Sequence, residues 1–279
     1  MAFLVFTLVL LSSKLVVGNF SYDGNSGPLH WGDEYKQCIG KFQSPIDIEE
    51  KDVTNMTFPK LQFSDTENSH VAYMINNGHT VMIRSFDPDL PTILGGPINN
   101  TYVFQQLHFH WGQNDNLGSE DLINNHSFSM ELHAVFWKKQ YGSYDKATEY
   151  SDGLTVLGYL YQVNIKSLHE VYTYFIYLQL AVFRKIQSSD GRNLTHNFRP
   201  VQPLDGRIVY RNVPTSMISG TTIITDSKQT TNSSKKLKPT KQSNEENSHK
   251  KDDHNGQQSM WTVSSFGVIL GLIFLLQYQ

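Results

Sequence analysis

His108 and His110 sit one residue apart in the stretch QLHFHWG, residues 106–112, and Glu131 and His133 repeat that spacing in ELHAVFW, residues 131–137. A neutral imidazole is a common metal ligand, and its unperturbed titration near neutral pH also suits proton transfer. On an extended strand successive side chains point to opposite faces. His108 and His110 therefore share one face, and Leu107, Phe109 and Trp111 share the other. If the strand carrying Glu131 and His133 lies beside the first, three imidazoles converge on one point. Three imidazoles with an open fourth position are the donor set of a catalytic zinc site. Glu131, two residues from His133, supplies the kind of carboxylate that orients a metal-binding histidine. The plainer alternative is that each histidine is a surface group or a satisfied core group.

The segments around these residues read as strands. HTVMIRSF (79–86), YVFQQLHFHW (102–111), SMELHAVFW (129–137) and LTVLGYLYQV (154–163) are rich in β-branched and aromatic residues. Asn77-Gly78, Asp87-Pro88, Gly95-Gly96-Pro97, Gly112, Gly118 and Asp152-Gly153 mark turns between them. Helical periodicity is weak until YLQLAVFRKIQ (177–187). The expected class is mainly β, a β-rich α+β fold built on one large twisted sheet.

The ends of the chain carry different signals. Residues 1–18 are a short apolar run with small residues before Asn19, the pattern of a secretory signal. Residues 19–213 are long enough for one domain with its own core. Residues 214–258 are polar and read as a stalk that cannot bury enough apolar surface to fold. Residues 259–279 hold a second apolar run, Trp261 to Leu276, with no Lys or Arg after it. Polar spacer, apolar tail and abrupt stop are the layout of a glycolipid-anchor (GPI) signal; a spanning helix is the alternative. These signals predict the outer face of the plasma membrane, reached through the secretory pathway. Asn19, Asn55, Asn99, Asn125, Asn193 and Asn232 each begin an Asn-x-Ser/Thr sequon and are candidate glycan acceptors. The formal net charge is −3, and the folded part has no basic block, so nucleic acid is not an expected partner. Nothing in the residues points to a protein partner. Cys38 is the single cysteine, an oddity in a secreted chain.

SYDGNSGPLHWG, QSPIDI, NNGHTV, GGPINNTYVFQQLHFHWG, GSE, ELHAVFW, DGLTVLGYLYQV and NFRPVQPLDGR follow one another along residues 20–213. Together they resemble the α-class carbonic anhydrases, especially the secreted or glycolipid-anchored members. The resemblance implies a Zn2+ enzyme that interconverts carbon dioxide and bicarbonate on a mostly antiparallel sheet. It implies His108, His110 and His133 as zinc ligands. Gln106 and Glu131 would orient two of them, and the backbone carbonyl of Asn197 the remaining one. His79 corresponds to the proton shuttle, with Tyr22 and Asn77 ordering the water chain that leads to it. Met82 stands where a polar residue often lines this cavity.

The sequence departs from the family after residue 163. Roughly sixty residues that the family carries before LQLAVFRKI are replaced by NIKSLHEVYTYFIY. The missing stretch includes the SLTTPPC motif. The resemblance thus implies a lost threonine partner for Glu120, a reduced apolar wall for carbon dioxide, strands missing from the sheet, and a lost disulfide partner for Cys38. Two functions follow as expectations: carbonate dehydratase activity, impaired by the gap, or an extracellular zinc-binding or recognition domain with little or no turnover. His30, His70, His126, His169, His196, His249 and His254 have no spacing to the trio and read as structural or exposed.

Overall fold

A computed structural model describes residues 20–65, 70–163, 171–218 and 259–263. The expected signal at 1–18, Asn19, His169, most of the stalk with Asn232, His249 and His254, and the tail beyond Val263 lie outside the described residues. The protein is β-rich, with a large curled antiparallel sheet and few helices.

Among the described residues, eight strands make the main sheet: β1 Gln62–Ser64, β2 His70–Asn76, β3 Val81–Ser85, β4 Thr92–Gly95, β5 Ile98–Trp111, β6 Met130–Lys138, β7 Leu154–Tyr161 and β8 Ser259–Val263. Their order is β7-β6-β5-β3-β2-β8, with β4 also against β5 and β1 against β4. The four strands expected from sequence appear here as β3, β5, β6 and β7. β2 is an addition: VAYMIN is β-prone and leads into the Asn77-Gly78 turn, so β2 and β3 form a hairpin. Asn77 closes that turn, its Oδ1 accepting from the N–H groups of His79 and Thr80 at 3.0 and 2.9 Å.

The 14-residue β5 runs through the middle of the sheet. Its pairing with β6 shifts by one residue between Phe104 and Gln106. A single extra residue reverses which face later side chains take. Tyr102 and Phe104 precede the bulge, and Leu107 and Trp111 follow it, yet all four belong to one core cluster. The bulge at Gln105 therefore puts both apolar sets on one face. It leaves Gln106, His108 and His110 together on the other.

The core lies under the first face. Leu107, Trp111, Ala134 and Phe136 are fully buried there. The helix Val171–Phe183 covers them with Leu180 and Phe183; the Phe183 ring is 5.1 Å from Trp111 and 5.2 Å from Phe109. This helix begins six residues before the expected 177 and ends four before the expected 187. Its early part, VYTYFIY, is apolar all round and shows no helical stripe. Its end is set by packing: the chain turns after Phe183 so that Ile186 and Leu194 can pair backbones and join the core. Arg184 fixes the turn, donating to Gly112 O and Asp115 Oδ1, both at 2.7 Å.

The boundary expected at 213 is followed by one more helical turn, Thr215–Ile218. At the other end of the sheet, Ser259–Val263 pairs antiparallel with β2. Among the described residues, β7 pairs only with β6, so its outer edge carries no strand.

Candidate metal centre

The registers of four strands place Met82, His108, His133 and Gly158 opposite one another in a row across β3, β5, β6 and β7. His110 lies two residues further along β5, opposite Glu131. Nitrogen atoms of His108, His110 and His133 all lie within 4.8 Å of one another. The pairing that brings them together is the one the sequence left conditional.

Each ring is held by its other nitrogen. His108 Nδ1 is 2.9 Å from Gln106 Oε1, and His110 Nδ1 is 2.7 Å from Asn197 O. His133 Nε2 is 2.7 Å from Glu131 Oε1. Amide, carbonyl and carboxylate oxygens only accept, so each of those ring nitrogens carries the proton. That leaves His108 Nε2, His110 Nε2 and His133 Nδ1 with lone pairs. His133 Nδ1 and His108 Nε2 are 3.2 Å apart. His110 Nε2 is buried with no hydrogen-bond partner. A buried, unpartnered acceptor beside two more imidazole lone pairs fits a divalent cation that takes nitrogen ligands.

Electrostatics agrees for two of the three rings. Burial pushes His108 down to about 2, with the neighbouring His110 and His133 adding to it. Burial and then His133 push His110 down to about 3. Both rings are therefore neutral, as ligands must be. Burial lowers His133 too, but the hydrogen bond and charge of Glu131 outweigh it and leave it raised.

Glu131 does more than hold one ring. It is 1% exposed, and its Oε2 accepts from the N–H groups of Glu120 and Asp121, both at 2.9 Å. The carboxylate thus anchors the loop that carries Glu120. Glu120 Oε1 in turn accepts from Arg199 N at 2.8 Å and lies 3.5 Å from His110 Nδ1. Burial raises the Glu120 carboxyl to about 7, against the pull of the Arg199 N–H. Among the described residues, no threonine hydroxyl bonds to it. The loop through Asn197 is tied to β5 from both sides: Trp111 N donates to Asn197 Oδ1 at 2.7 Å, and Asn197 N donates to Trp111 O at 3.1 Å.

His79 stands apart from the trio. Its ring stacks on Phe20 at 3.8 Å, and burial lowers its pKa. It lines a polar cleft of about 140 Å³ with Tyr22, Arg192 and His196, and none of the three clustered histidines lines that cleft. Burial, and then the charge of Glu120, raise the Tyr22 hydroxyl. Cys38 is a free thiol, and Asn55, Asn99, Asn125 and Asn193 are exposed. His70 is buried between Asp65 and Asp87, as a structural histidine would be. Sequence reading missed Gly158 and the second role of Glu131; the backbone bonds and register that reveal them leave no motif.

Residues 26–178, more than half the chain, match the family described as eukaryotic-type carbonic anhydrase. The chain is 36% identical over 141 residues to carbonic anhydrase 1 of Monodelphis domestica, covering 50% of this chain and 54% of the relative. It is 31% identical over 140 residues to carbonic anhydrase 3 of Bos taurus, with the same shares. The chain thus spans about half the length of the curated relatives it matches.

Proposed function

The chain belongs to the eukaryotic-type carbonic anhydrase family, and from that premise we propose that it catalyses the reversible hydration of carbon dioxide to bicarbonate and a proton. Zn2+ would be held by His108 Nε2, His110 Nε2 and His133 Nδ1. The observation that carries this reading is the buried, unpartnered His110 Nε2 beside the other two lone pairs. Zinc, when bound, supplies the acidity that makes a nucleophile from water near neutral pH.

The chain's residues do the rest. Gln106, Asn197 O and Glu131 fix the tautomers and hold the rings. On the same face, β7 continues beyond Gly158 with Val156 and Leu154, both exposed. An apolar surface beside the site suits carbon dioxide, which needs no hydrogen bonds to dock. His79 would carry protons out through the polar cleft, with Tyr22 and Asn77 ordering the water between. The activity would sit at the outer face of the plasma membrane on a glycolipid anchor. The apolar segments at both ends and the four exposed sequons support that placement, and on this reading β8 would be present only before the anchor replaces the tail. Release from cells by a phosphatidylinositol-specific phospholipase tests it; a tail epitope found in the cytoplasm points to a spanning helix instead.

A second reading, a zinc-binding domain with little turnover, is favoured by one observation. The Glu120 carboxylate receives the Arg199 N–H and, among the described residues, no threonine hydroxyl. Zinc content after dialysis and stopped-flow hydration, each with His133→Ala as control, separate the two. Zinc without turnover selects the second reading, and a folded chain that takes up no zinc overturns both.

A further inference from the structure

We infer that Gly158 is a positioning residue for the metal centre: its missing side chain leaves room for the Glu131 carboxylate and the His133 ring to meet. The inference rests on the zinc reading above for its function and on geometry alone for its contact.

Glycine inside a strand weakens it, and it often marks a close approach by another group. Gly158 lies within β7, opposite His133. Its φ is outside the left-handed region, so any residue could adopt this backbone. Space is the constraint. A Cβ on Gly158 would stand 3.1 Å from Glu131 Oε1, 3.8 Å from His133 Cδ2 and 4.0 Å from His133 Nε2. The bond between His133 Nε2 and Glu131 Oε1 therefore runs directly beside the bare Cα. Glu131 has little freedom to retreat. Its other oxygen is fixed by the N–H groups of Glu120 and Asp121, and the side chain is buried. A methyl group here would press on the carboxylate oxygen that orients His133. It would turn the ring and move Nδ1 relative to the lone pairs of His108 and His110. Every other residue type would place a Cβ at that 3.1 Å distance.

The test uses four full-length chains: wild type, Gly158→Ala, Glu131→Ala and the double variant. Zinc affinity is read by competition with a chelator, and folding by circular dichroism. Gly158→Ala is expected to weaken zinc binding by roughly 10- to 100-fold, the usual consequence of disturbing a group that orients a metal ligand. In the Glu131→Ala background the same change should cost nothing further, because no carboxylate is left to displace. An equal loss in both backgrounds would mean general damage to the strand and would overturn the inference, as would unchanged affinity in Gly158→Ala. If Gly158→Ala does not fold, a folded double variant supports the inference and an unfolded one overturns it. The His133 ring N–H proton resonance supplies a metal-free reading. It should shift between wild type and Gly158→Ala, and it decides the matter even if the wild type takes up no zinc.

Discussion

His110 Nδ1 lies 2.7 Å from the carbonyl oxygen of Asn197, 87 positions along the chain, and this contact joins the sheet to the loop that follows the helix. The side chain of Asn197 secures the loop. It is fully buried, accepts from Trp111 N, and donates to Phe109 O at 2.8 Å and His79 O at 3.1 Å. Asn197→Ala would take the partner from Trp111 N and His79 O, at about 1–3 kcal/mol for each one that water cannot reach, while Phe109 O keeps the Thr80 hydroxyl. The expected result is a loss of at least about 2 kcal/mol in chemical denaturation, with weaker zinc binding as the carbonyl shifts. Asn193→Gln, at an exposed position in the same loop, should leave both unchanged. Equal effects from the two variants would show that the Asn197 bonds carry no special weight.

Zinc stoichiometry tests the trio directly. Wild type should retain one zinc per folded chain, and His133→Ala should lose it. Gln106→Leu removes the acceptor that holds His108 but leaves all three lone pairs. It should lower zinc affinity by roughly 10- to 100-fold without abolishing it. Loss as complete as that of His133→Ala would mean that Gln106 supports the local fold and not just the ring.

The trio was legible in the sequence because strand periodicity is rigid: residues two apart share a face whatever surrounds them. The contact of β5 with β6 was not legible from periodicity alone and rested on the family resemblance. The bulge at Gln105 was hidden because no turn residue announces it; it shows only in that Phe104 and Leu107 both lie in the core. The early helix from Val171 was hidden for the opposite reason. Valine, tyrosine and isoleucine there favour strands by propensity, while Leu180 and Phe183 further along the same helix pack into the core. Gly158 carries no signal of its own inside LTVLGYLYQV, since only its cross-strand neighbours give it meaning.

Asp152 offers a test of pH dependence away from the metal. Lys138 Nζ lies 2.5 Å from its Oδ2, and Tyr141 Oη donates to its Oδ1 at 2.6 Å. These bonds, Lys138 first, hold the Asp152 carboxyl below the usual carboxylate range. A lowered folded pKa contributes stability above the unfolded value, about 3.9. That contribution is lost as the pH falls through the folded value. Asp152→Asn should therefore lower Tm at pH 7, and the gap to wild type should close as the solution is acidified below pH ~4. Asp152 is exposed, which keeps the effect small. A gap that widens in acid would refute the assignment.

Turnover is the sharpest test of the expectation that a family segment is absent after Val163. Three imidazole nitrogens suffice to hold zinc, and the metal supplies the acidity. Orienting the attacking oxygen is a separate task, and positioning of reacting groups is worth several kcal/mol. By family resemblance a threonine hydroxyl performs it, passing its proton to the carboxylate that corresponds to Glu120. Here Glu120 Oε1 is taken up by the Arg199 N–H. The outer edge of β7 carries no strand among the described residues, and Val156 is 47% exposed where a wall would shelter it. Each ~1.4 kcal/mol of lost positioning is about tenfold in rate. This chain should therefore hydrate carbon dioxide at least about a hundredfold more slowly than a full-length relative. Inserting a relative's SLTTPPC-bearing segment after Val163 should raise the rate and protect Cys38 from thiol labelling. If the chain without the insert already matches the full-length rate in stopped-flow assays, the threonine is dispensable and the gap is not what limits this protein.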